Sequence, residues 1–86
     1  MTSGLLELFH RIADPPSAEA RRYIVDYALE DRVVFRNVEF AEAAADWRRH
    51  GGHSTPALWD GTHLHQGAQA VLARLQAVVN LGRDDA

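Results

Sequence analysis

His53-Ser54-Thr55-Pro56-Ala57-Leu58-Trp59-Asp60-Gly61 decides how the rest of the chain is laid out. Proline has no N–H for a sheet ladder, so Pro56 cannot lie inside a central strand, but it can stand at a strand's first residue. Ala57 to Asp60 then reads as that strand, and Asp60-Gly61 as the hairpin turn into the next, Thr62 to Gln66. An X-Pro bond in this place is also a candidate for the cis isomer, which would present the preceding N–H and C=O to solvent or a ligand.

Outward from that stretch the apolar pattern alternates between strand and helix. Leu5 to His10 is a short apolar run that fits a first buried strand. Arg11 to Pro16 is a loop, and Asp14-Pro15-Pro16-Ser17 opens a helix in which Asp14 or Ser17 can N-cap. Ala20, Ile24, Tyr27 and Ala28 recur on its inner side, with Glu19, Arg22, Asp26 and Glu30 pointing away. Val33 to Val38 is rich in β-branched and aromatic residues and reads as a second strand. Phe40, Ala43, Ala44 and Trp47 mark a second helix, which Gly51-Gly52 stops. Gly67 starts a third, with Ala68, Val71, Leu72, Leu75, Val78 and Val79 along one face, before a polar tail at 80–86.

The predicted fold is α/β, in the order β-α-β-α-β-β-α: a mixed four-stranded sheet with helices on both faces. The first crossover requires a parallel pair, and the Asp60-Gly61 turn an antiparallel one. The 86 residues fit one domain (core about 5–79), and the apolar content of 47% suffices for a core.

Composition removes several functions. There is no cysteine, which excludes disulfides, thiolate metal sites and thiol catalysis. There is no lysine either; all nine basic residues are arginine, so amine nucleophiles are excluded. A net charge of −3 argues against nucleic acid as a partner. Met1 to Gly4 shows no basic-then-apolar leader, and no apolar run is long enough for a membrane span, so the expected location is cytoplasmic.

The order of elements, Thr55-Pro56 at the start of strand three, Asp60-Gly61 and Gly67 before the last helix together resemble the thioredoxin-like superfamily. The likeness is to a glutaredoxin-like domain, and to the N-terminal domain of glutathione transferases, over about Leu5 to Val79. The family's Cys-Pro-x-Cys motif falls on Asp14-Pro15-Pro16-Ser17, where both sulfurs are missing, so the resemblance implies a redox-inactive domain. It also implies ligand-binding residues: Arg11 for a substrate carboxylate, Thr55 pairing its backbone with a ligand, and the Gly67 and Ala68 amides for an anion. Asp14, Pro15, Ser17, Ser54 and Pro56 complete that edge. The acid that the family uses for the γ-glutamyl end is absent, since no Asp or Glu lies between Gly61 and Arg83; only Gln66 and Gln69 could stand in.

The expectation is a non-catalytic module binding a protein, a peptide or a small thiol ligand, with glutathione a possible ligand. A transferase-like activity using Ser17 is the enzyme alternative. Asp14 reads as an N-cap rather than a catalytic acid, because a helix N-terminus favours its ionised form. His63 and His65 alternate on strand four and form a candidate metal pair, to be set against plain solvent exposure, with Asp46 and Asp60 bearing no motif relation to them. His50 and His53 flank the two glycines near Thr55. Trp47 and Trp59 read as core, and Arg21-Arg22 and Arg48-Arg49 as solvated helix faces, the alternative for Arg48 or Arg49 being a place at the border of the groove beside Pro56. Tyr23 and Tyr27, four apart, read as packing.

Overall fold

A computed structural model describes residues 5–84, with side chains through residue 81; Met1 to Gly4, Asp85 and Ala86 lie outside the described residues. The chain forms β1 (Leu6–His10), α1 (Pro15–Asp26), β2 (Val33–Asn37), α2 (Ala41–Arg49), β3 (Ala57–Trp59), β4 (Leu64–Gln66) and α3 (Ala68–Asp84). The sheet order is β2-β1-β3-β4. β1 and β2 are parallel with Leu8 opposite Phe35; β3 runs antiparallel to both β1 and β4. The fold is α/β with a mixed four-stranded sheet and three helices.

Strand alternation sorts the core into two layers. Leu6, Leu8, Val33 and Leu58 face one way and pack with Ala20 and Ile24 of α1 and Val71 and Leu75 of α3. Phe9 and Ala57 face the other way, where α2 supplies Ala44 and Trp47. Leu8, Phe9, Ile24, Leu58, Val71 and Leu75 are completely buried.

Several residues depart from the periodic pattern. α1 stops at Asp26; Tyr27 is its C-cap and half exposed, and Ala28 takes a positive φ of 54°. The inward position passes to Leu29, whose N–H returns to the Ile24 carbonyl at 2.8 Å. Phe40 caps α2 from outside and is 69% exposed, so it is not a core residue. The segment read as a polar tail is helical through Asp84, because one glycine, Gly82, does not outweigh the helix that precedes it. β4 begins at Leu64, leaving His63 in the turn. Trp47 is buried as expected; Trp59 is half-buried and stacks on His50 at 3.7 Å with the rings 9° apart.

Candidate functional site

β1 delivers the chain into a loop at its carboxyl end, and α1 starts there. Asp14 is the N-cap residue by backbone, with φ −98° and ψ 113°, but its side chain makes no capping bond to the helix. Its Oδ2 accepts instead from the Ser17 hydroxyl at 2.7 Å and from the Thr55 hydroxyl at 3.0 Å. The carboxylate therefore joins the helix start to the loop before β3, a span of 41 residues. Ser17 is completely buried; its oxygen also accepts the Arg11 N–H at 3.2 Å. Arg11 reaches back, donating from Nη1 to Thr55 Oγ1 at 3.4 Å, with its guanidinium 5.3 Å from the Trp47 ring.

Partial burial pushes the Asp14 carboxyl up, but the hydroxyls of Ser17 and Thr55 and the Arg11 charge outweigh it. The group ends below the ordinary carboxylate range. A carboxylate so held is ionised at neutral pH and has no proton to give as an acid.

The loop carrying Thr55 is fixed from two sides. Gln66 Oε1 accepts the N–H groups of His53 (2.9 Å) and Ser54 (3.2 Å), while its Nε2 donates to the Gly51 carbonyl. The Trp47 indole donates to the Ser54 carbonyl at 3.2 Å. Gly52 makes room for that indole: a Cβ there would stand 2.2 Å from Trp47 Cδ1. The Thr55–Pro56 peptide bond is cis. The Pro56 carbonyl accepts the Gly67 N–H at 2.9 Å, so that amide is already committed and is not open to an anion. The Thr55 backbone N–H and C=O, in contrast, take no hydrogen bond among the described residues.

The structure thus brings Arg11, Asp14, Ser17 and Thr55 into one network and ties Ser54, Pro56 and Gly67 into the loop behind it. Pro15 is exposed in the first turn of α1, and no side-chain bond links Ala68 to the cluster. Ser17 lies below the surface with its hydroxyl bonded on both sides, which leaves it no free hydrogen to offer a thiolate. Gln66 braces the loop rather than meeting a ligand.

Arg21 is the site residue that periodicity misses. It is not a solvated face: its guanidinium bonds the carbonyls of Arg11 (3.0 Å) and Ile12 (3.3 Å) and meets His10 Nδ1 at 3.0 Å. An arginine has no acceptor, so His10 Nδ1 accepts and its proton is on Nε2. Burial, then the Arg21 charge, hold the His10 imidazole below its ordinary range despite Glu39. Nothing in a helical pattern marks an arginine that will fold back over the preceding loop.

Arg22 and Arg48 are exposed, while Arg49 pairs with Asp46 at 2.6 Å. Asp60 holds the turn before β4: Oδ1 accepts the backbone N–H groups of Thr62 and His63, and Oδ2 meets His65 Nε2 at 2.9 Å. The His63 amide, then the His65 ring, hold Asp60 far below the usual carboxylate range, against partial burial. The His63 and His65 ring centroids are 6.4 Å apart, and among the described residues no three His, Asp or Glu side chains gather as a metal site. No described helix is long and apolar enough to cross a membrane. The chain matches no family model and no curated protein at significant similarity.

Proposed function

We propose that this is a thioredoxin-like, glutaredoxin-related domain without redox chemistry, which binds an extended segment of a partner protein or peptide along Thr55. The observation that carries this reading is the open Thr55 backbone, set among groups that are otherwise committed. Ser54 has both backbone groups bonded, as are the Pro56 carbonyl and the Gly67 amide. An open N–H and C=O on one residue at the entrance to a strand is what a ligand backbone pairs with in strand addition. The element order and the fall of Asp14 and Ser17 at the start of α1 support the family. The absence of cysteine removes thiol–disulfide exchange from it.

A small thiol ligand such as glutathione would use the same backbone pair, but its other contacts are reduced. Asp14 is an anion where the thiol would lie, the Gly67 amide is taken, and Gln66 is occupied. Peptide binding is therefore the preferred reading, and a cytoplasmic setting suits it.

The test is an amide-shift titration of labelled protein with glutathione and, separately, with extended hexapeptides. Peptide should move the Thr55 and Arg11 signals, and Thr55→Pro, which removes the amide donor, should abolish the effect. Shifts that persist in Thr55→Pro, or none at millimolar peptide, would place any contact surface elsewhere.

A further inference from the structure

The second open backbone in the molecule is the outer edge of β2. As the terminal strand, its far side pairs with no strand among the described residues, and its five residues contain no proline, lysine or glycine. Soluble proteins normally guard such an edge with charge, proline, a bulge or a covering element. The opposite edge is guarded by its shortness: β4 has three residues, with His65 drawn to Asp60 and Gln66 to the loop. β2 is longer and shows Val34 on one face and Phe35 on the other, 41% and 39% exposed. Its one charge does not guard it. Arg36 turns across the sheet, bonding Glu7 through Nη1 and Asp46 through Nη2, with its guanidinium 5.4 Å from the Phe9 ring.

The flanks of this apolar edge are acidic. Glu30 and Asp31 precede it, Glu39 follows, all three are exposed, and none has an ion-pair partner among the described residues. Exposed Arg32 offsets one of these charges.

A second copy is a poor occupant. In a twofold antiparallel pairing centred on Phe35, Asp31 of each copy meets Glu39 of the other. Centred on Val34, Arg32 meets Arg36; centred on Arg36, that residue meets itself. Like charges directly opposite one another destabilise a strand pair.

We infer that the outer edge of β2 docks an extended, alternating apolar segment of a different polypeptide, with basic residues at both of its ends. The segment continues the sheet past β2, setting its side chains beside Val34 and Phe35 and its terminal cations against Glu30, Asp31 and Glu39. This edge is separate from the Thr55 site, so either can fail without the other.

The probe is the nonapeptide Lys-Thr-Val-Thr-Val-Thr-Val-Thr-Lys, about 26 Å between its end residues when extended, against its counterpart with Glu at both ends. In labelled protein at low salt, the basic peptide should shift the amides of residues 33–37, and the acidic one should bind about tenfold more weakly or not at all. The double substitution Asp31→Lys, Glu39→Lys, at exposed positions, should reverse that preference. Val34→Lys, which guards the edge, should remove binding of the basic peptide while leaving the far-UV circular dichroism unchanged. Equal binding of the two peptides, an unchanged preference in the double variant, shifts away from β2, or a β2-mediated dimer that forms in preference to the peptide complex would each overturn the proposal.

Discussion

Replacing Gly52 by alanine tests how the Thr55 loop is held. The new Cβ would lie 2.2 Å from Trp47 Cδ1, 2.4 Å from Nε1 and 2.6 Å from Cγ, all well inside contact distance. The obstacle is a buried aromatic ring rather than the tip of a flexible chain. The indole packs with Phe9, Val38, Ala44 and Ala57, so it cannot withdraw without disturbing that layer. Overpacking of this kind costs about 1–3 kcal/mol. A turn of the ring also breaks the bond from Nε1 to the Ser54 carbonyl, which adds about 1 kcal/mol. The sum, roughly 2–4 kcal/mol, corresponds to a fall in Tm of about 10–25 °C for a domain of this size. Thermal and urea unfolding followed by far-UV circular dichroism would measure it, since that signal does not depend on tryptophan. Trp47→Ala removes all three colliding atoms. Gly52→Ala should therefore cost less in the Trp47→Ala background than in the natural chain, a coupling of about 1 kcal/mol or more. A Gly52→Ala protein within about 0.5 kcal/mol of the original, or strictly additive variants, would refute the account.

Arg21→Met keeps the aliphatic stem but frees the Arg11 and Ile12 carbonyls and His10 Nδ1; it should cost about 1–3 kcal/mol and speed amide exchange through residues 11–14, read by hydrogen-exchange NMR. Stability should fall with acid in two stages. Because His10 is held below its ordinary 6.5, the unfolded chain takes up a proton first as pH drops through that value; His10→Gln, which retains an acceptor, should flatten this limb in urea midpoints. Asp14 and Asp60 are held below 3.8, so their contribution is complete above that pH and is lost as the pH falls below it; Asp14→Asn should shrink this second limb and leave the first intact.

The element order was legible because the helices kept a period near 3.6, while the strands stood out as short apolar or β-branched runs bounded by proline, glycine and polar turn residues. Boundaries failed where the chain changed direction without a sequence mark. Ala28 adopts a left-handed conformation more typical of glycine, so Tyr27 and Ala28 looked like one more helical turn when Leu29 held the buried position. Phe40 looked internal by type, yet it stands before the helix begins. Asp14, Ser17 and Thr55 could be singled out as neighbours only through the family resemblance. What joins them, a carboxylate accepting two hydroxyls, depends on tertiary placement across 41 residues. The same holds for Arg21, Trp47 and Gln66, whose work is to bond distant backbone, which no local pattern records.

Ser54, fastened at its amide by Gln66 and at its carbonyl by Trp47, has a kinetic consequence. The segment that would meet an incoming strand is ordered before anything arrives, so association at Thr55 would forfeit little chain entropy on the protein's side. Capture there would be governed by the encounter of two surfaces and by how extended the visitor already is, and not by a rearrangement of the host.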